Sequence, residues 1–217
     1  MSERLTPRAL LLVKTIHEQG VNKWMYTREL AKLARVSTST ASIECRKLAK
    51  HRILLLKTEG REKSYKINLS NPAARKLYEL FETERRESFY NKNRRLAWAL
   101  QEFTKRVFDS LPQVQSIVLF GSAARGELTR TSDVDILVLA PTLEQDSFNK
   151  LMKSVDALAA ETTGTYGFPI SAVTMTMKDW EAAVREKKRI AQDVIREGFV
   201  LFGEDRYYQL LSKVVPE

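Results

Sequence analysis

The stretch from Ile117 to Leu139 constrains the fold more than any other part of the chain. It opens with the apolar run Ile117-Val118-Leu119-Phe120 and closes with Ile136-Leu137-Val138-Leu139, two segments with the length and β-branched content of buried strands. Gly121-Ser122 follows the first run, and this pair lets the backbone turn sharply from a strand end into a short helix with Ser122 as the expected N-cap. The N–H groups of a first helical turn have no partners within the helix, so the turn is expected to receive phosphate oxygens. Arg125 falls on the same helical face as Ser122, where its guanidinium suits a phosphate, and Gly126 suits the end of the turn. Gly121, Ser122 and Arg125 are therefore the candidate nucleotide-binding residues.

The second strand opens with Asp133-Val134-Asp135. Residues two apart on a strand share a face and stand roughly 6.6 Å apart along the backbone. Carboxylates so placed are candidate ligands for Mg²⁺ or Mn²⁺, because hard cations prefer oxygen donors, and paired divalent ions suit phosphoryl transfer. Asp133 and Asp135 are accordingly the candidate metal ligands and catalytic residues. Neither half of the pattern is specific alone, since Gly-Ser pairs mostly make turns and acidic residues cluster in solvated loops. Their conjunction, with a strand on each side, is what carries the reading.

Gly121-Ser122-Ala123-Ala124-Arg125-Gly126, then Ser132-Asp133-Val134-Asp135 and an apolar strand, resembles the signature of the DNA polymerase beta-like nucleotidyltransferase superfamily, and most of all its minimal members. The resemblance covers about the last half of the chain. It implies an α/β (α+β) fold with a mixed sheet flanked by helices, Mg²⁺-dependent binding of a nucleoside triphosphate, and nucleotidyl transfer to an acceptor. One departure stands out. Active members usually carry a third carboxylate on a later strand, here expected over Phe168–Met177, and that segment holds no acid. Ser171 or Thr174 stands where an Asp would be expected, and Asp179 beyond it reads as a helix N-cap. Such a loss weakens a second metal and removes a base for the acceptor hydroxyl.

The N-terminal third reads differently. Residues 1–70 hold 15 Lys/Arg against 6 Asp/Glu, whereas residues 113–217 hold 12 against 15, so the net charge of +9 is concentrated at one end. A basic segment joined to a mildly acidic one points to nucleic acid at the basic end. Pro7–Gln19 reads as a helix closed by Gly20, Thr27–Ala34 as a second capped by Thr27, and Thr38–His51 as a third. On the third, Ala41, Cys45 and Leu48 fall at helical spacing and should face a core, leaving Thr38, Ser39, Ser42, Arg46 and Lys47 on the other side. Ile53–Thr58 and Lys63–Leu69 read as a hairpin with Gly60 at its tip. Three helices and this two-stranded wing resemble the winged helix-turn-helix family of DNA-binding domains. The resemblance implies that the third helix enters the major groove and that Arg61 and Lys63 on the wing reach phosphate or minor groove.

Asn71–Leu111 has a helical pattern interrupted by the polar run Asn91–Arg95, with Leu96, Leu100, Phe103 and Val107 on one stripe. Trp98 and this stripe suit core or dimer contacts, so a homodimer is an expectation. Beyond the site, Glu144–Glu161 and Trp180–Glu197 read as helices, with Gly164 and Gly167 in a loop before the acid-free strand. His17 and His51 are isolated and read as ordinary helix or surface residues. A lone cysteine, Cys45, with no signal-peptide core and no apolar run of membrane length, predicts a cytoplasmic protein. The expected organisation is a winged helix over 1–70, a helical linker over 71–112 and a nucleotidyltransferase domain over 113–217. The expected function is a DNA-binding nucleotidyltransferase. The competing expectation, motivated by the missing acid, is a DNA-binding regulator, antitoxin-like, whose second domain is degenerate.

Overall fold

The computed structural model describes residues 5–129 and 132–214, and these divide at Phe81/Glu82 into two compact units. In the first unit, helix α1 (Pro7–Gln19) starts where the Thr6 hydroxyl accepts the Ala9 N–H at 3.0 Å. Leu12, Val13 and Ile16 form its buried face, while Leu11 is exposed rather than part of that stripe. A short strand β1 (Met25–Tyr26), not anticipated from the sequence, precedes α2 (Thr27–Leu33). Thr27 is not the N-cap of α2. Tyr26 holds that position, and the Thr27 hydroxyl instead donates to the Lys63 carbonyl at 3.2 Å.

Helix α3 (Thr38–Lys50) is capped by Ser37, whose hydroxyl accepts the Thr40 N–H. Ala41, Cys45 and Leu48 are buried as their spacing predicts, and burial pushes the Cys45 thiol up to about 12, so it behaves as a small hydrophobe and not a nucleophile. Strands β2 (Leu54–Glu59) and β3 (Glu62–Ile67) form the hairpin, turning at Gly60 with φ +60°. Among the described residues β1, β3 and β2 make one antiparallel sheet in that order. Tyr78 and Phe81, at the start of α4 (Pro72–Lys92), pack against the His17 ring, with the Tyr78 centroid 4.8 Å away edge-on. Leu80 is exposed, so the inward face of this segment is Ala74, Tyr78 and Phe81.

The second unit is built on a mixed sheet of β4 (Ser116–Phe120), β5 (Val134–Ala140), β6 (Ile170–Thr176) and β7 (Phe199–Phe202), in the order β6-β5-β4-β7. β4 runs antiparallel to β5 and β7, and β5 runs parallel to β6. A parallel pair needs a crossover connection, and α7 (Gln145–Tyr166) supplies it. Val134, Ile136 and Val138 of β5 share a core with Leu100, Phe103 and Val107 of α5 (Arg94–Ser110) and with Leu151 and Val155 of α7. Strand alternation sends Asp135, Leu137 and Leu139 to the opposite face, where α8 (Met177–Arg185) meets β5 and α9 (Arg189–Glu197) meets β4. α10 (Glu204–Val214) closes the unit. Glu82, buried in α4, accepts the Val200 N–H at 2.6 Å and the Tyr208 hydroxyl at 2.8 Å. No backbone or apolar pattern announces that tie.

Several boundaries move. Gly164 lies inside α7, which runs on to Tyr166 and ends at Gly167 with φ +73°. The helix expected over Trp180–Glu197 is two helices, broken where Lys187 adopts φ +54°. Asp179 is not an N-cap: Thr176 caps α8 by accepting the Asp179 N–H at 3.1 Å, and Asp179 accepts the Thr176 hydroxyl in return. Trp98 is 58% exposed and is not a core residue. Among the described residues no helix is long and apolar enough to cross a membrane.

Candidate active site

β4 delivers the chain directly into α6 (Gly121–Arg125), a single turn whose N-cap position is Phe120. Ser122 therefore lies within the first turn rather than capping it. Gly121 has φ +72°, and a Cβ there would overlap Asp135 Oδ2 and sit 3.2 Å from its Cγ. Only a residue without a side chain permits this approach. Phe120 and Asp135 are partners in the β4–β5 ladder, so the turn that follows one strand meets the carboxylate that opens the other. Gly126 ends α6 in the left-handed conformation, as its position in the sequence implies.

Asp133 is exposed just before β5, and Asp135 is half-buried. Burial pushes the Asp135 carboxyl above the ordinary carboxylate range, and the negative charges of Asp133 and Glu197 push it further, against the opposing pull of Arg125. Arg125 is not free to await a ligand. Its Nη1 donates to Glu197 Oε1 at 2.7 Å and its Nε to Glu127 Oε2 at 2.6 Å. Glu197, at the end of α9, has a side chain only 9% exposed. Sequence reasoning missed it because a glutamate at a helix end far along the chain carries no local signal; only the packing of α9 on β4 brings it to Asp135.

β5 and β6 are in register with Asp135 opposite Ser171, and laterally paired residues point to the same face. Ser171 therefore shares the face of Asp135. Thr174 pairs with Val138 and faces the other way. Among the described residues no cluster of three or more His, Cys, Asp or Glu is disposed to hold a metal ion. Asp133 and Asp135 remain the candidate ligands, and their oxygen donors fit a hard divalent cation.

The candidate DNA-binding residues lie in the first unit. Thr38, Ser39, Arg46 and Lys47 are exposed on α3, and Ser42 is half-buried. Arg46 Nε donates to the Ser42 carbonyl at 3.1 Å, and Lys47 pairs with Glu44 at 3.4 Å. Arg61 is exposed at the hairpin tip beside Gly60, whereas Lys63 is half-buried on β3.

Residues 100–197 match the model of the nucleotidyltransferase domain family, and this segment carries the Gly121 turn and both aspartates. Over 54 residues the chain is 39% identical to a protein of Methanocaldococcus jannaschii named "Putative protein adenylyltransferase MJ1379", which amounts to 25% of this chain. The chain spans about half, 54%, of that relative's length. Among solved structures it is similar to a toxin–antitoxin crystallised with AMP-PNP, at 23% identity over 52% of this chain and 83% of that one, with a TM-score of 0.36. A mutant of the MntA–HpeT toxin–antitoxin is similar at 22% identity with the same coverage and a TM-score of 0.35.

Proposed function

We propose that the protein is a DNA-binding adenylyltransferase, moving AMP from ATP to an acceptor hydroxyl with Mg²⁺ or Mn²⁺. The observation that carries this is the contact between Gly121 and Asp135, which joins a phosphate-receiving turn to a carboxylate pair. The domain family of residues 100–197 supports the reaction class, and the name of the curated relative supports ATP as donor. In this reading the N–H groups of the Gly121–Ser122 turn and the Ser122 hydroxyl hold the β- and γ-phosphates. Arg125 exchanges a carboxylate partner for phosphate oxygen, which a guanidinium does without changing protonation. Asp133 and Asp135 hold the metal, which when bound neutralises the phosphates. The acceptor oxygen forms a bond to the α-phosphorus as the bond to the bridging oxygen breaks; pyrophosphate takes the electron pair, and the hydroxyl proton passes to solvent because Ser171 is no base.

The first unit, in this reading, is a winged helix that sets α3 in the major groove, supported by its basic excess and by the exposed side chains on α3 and the hairpin tip. Calorimetric titration of ATP, GTP, CTP and UTP with and without Mg²⁺ tests the catalytic half. Metal-dependent ATP binding, abolished by Asp133→Asn with Asp135→Asn, is the expected result; unchanged affinity in that double variant rejects it.

A second reading is favoured by Ser171 opposite Asp135: a DNA-binding regulator whose nucleotidyltransferase domain no longer transfers. It predicts duplex binding by the full chain with no Mg²⁺-dependent binding of any of the four nucleotides.

A further inference from the structure

A cleft of about 520 Å³ opens between α6 and the joint of α4 and α5. Ala123 and Gly126 line one wall, the cationic Lys92, Arg94 and Arg95 another, and Phe168 stands beside them. Lys92, Arg94 and Arg95 are exposed, and among the described residues none of them is ion-paired. The rest of this unit does not share that charge, since residues 113–217 are net acidic. Three adjacent cations on an otherwise acidic domain, walled by the helix that forms the phosphate turn, call for an anionic occupant.

Phe168 lies two residues before β6, and β6 is an edge of the sheet, with Ile170 and Ser171 paired to Val134 and Asp135 on its inner side only among the described residues. An edge strand offers main-chain groups to an extended polypeptide, and guanidinium forks match carboxylates. An extended acidic segment can therefore run along β6 and set its carboxylates in the cleft, whose wall of Ala123 and Gly126 belongs to the same short turn as Ser122 and Arg125. We infer that the cleft binds an acidic, extended segment of a protein acceptor and so presents an adjacent hydroxyl to the site. The inference rests on the adenylyltransferase reading for its purpose, though the binding it describes does not require turnover.

The test uses the full chain and a fluorescein-labelled random copolymer of glutamate and tyrosine, read by anisotropy. Lys92→Ala, Arg94→Ala and Arg95→Ala together should weaken copolymer binding about tenfold, as the sum of three modest exposed ion pairs. Arg46→Ala, Lys47→Ala and Arg61→Ala remove the same charge from the first unit and should change it less than twofold. ATP affinity should be unaltered in the cleft variant. Equal weakening by both triple variants would mean nonspecific charge attraction and overturn the inference, as would loss of ATP binding in the cleft variant, which would assign the cleft to the triphosphate. Loss of binding to a single-stranded RNA 20-mer with the copolymer unaffected would overturn it in favour of nucleic acid. Copolymer binding that depends on the cleft while the wild type binds no nucleotide would leave this inference standing and remove the catalytic reading instead.

Discussion

Gly121 is the residue on which the site turns. An alanine there would hold φ +72° against its steric preference, at about 1–2 kcal/mol, and its methyl would drive the Asp135 carboxylate aside. In the catalytic reading Gly121→Ala should therefore leave the unit folded, by circular dichroism, while weakening Mg²⁺-dependent ATP binding by at least about tenfold, since both the turn and the acid move. Asp135 carries the opposite balance. Its folded-state carboxyl titrates above its unfolded value, so its charge opposes folding at neutral pH and ceases to do so as pH falls through the folded and then the unfolded value. Asp135→Asn should raise the melting temperature at pH 7 by roughly 1–3 °C, an effect kept small by solvent contact, with the gain vanishing in acid. A lower melting temperature at neutral pH would show that attraction to Arg125 outweighs repulsion from Asp133 and Glu197.

At the scale of elements, the β5–β6 register decides what the second unit can do. Parallel pairing fixes Ser171 beside Asp135, so Ser171→Asp would set a third carboxylate on that face without moving either strand. In the catalytic reading this variant should accelerate nucleotidyl transfer or nucleotide hydrolysis on the order of 10²-fold, the scale of a gained general base, measured as pyrophosphate released. No acceleration, with ATP binding intact, would place the limitation elsewhere. The caps matter at the same scale: Thr176, in accepting the Asp179 N–H, fixes the start of α8 and with it Trp180, which is fully buried. Thr176→Ala should cost about 1 kcal/mol, seen as a fall of about 2–4 °C in the melting temperature.

For the whole molecule the governing feature is charge. The first 70 residues carry an excess of nine positive charges while the last 105 are net acidic, and in the DNA-binding reading duplex affinity should therefore depend on salt through the first unit. In that reading duplex binding should fall steeply with ionic strength, and replacing Arg46, Lys47 and Arg61 by Ala should reduce the slope of log affinity against log salt by about 3. An unchanged slope would exclude these side chains from the phosphate contacts.

Local signals in the chain were enough for the strand–turn–helix around Gly121, the Asp133-Val134-Asp135 opening of β5, the inward face of α3 and the hairpin at Gly60. Each is set by side-chain periodicity or by a glycine, and such signals act within a few residues. Caps and breaks were less legible. Ser122, Thr27 and Asp179 each have the chemistry of a cap, yet Phe120, Tyr26 and Thr176 hold those positions, because helix starts are chosen by where the preceding strand ends. Other partnerships join residues far apart in the chain and depend on the packing of whole elements. Glu197 reaches Arg125 because α9 packs on β4, Ser171 faces Asp135 because α7 carries the chain over to a parallel β6, and Lys92, Arg94 and Arg95 meet α6 because α5 returns along the sheet. Those partnerships arise from packing of layers, and no spacing along the chain encodes them.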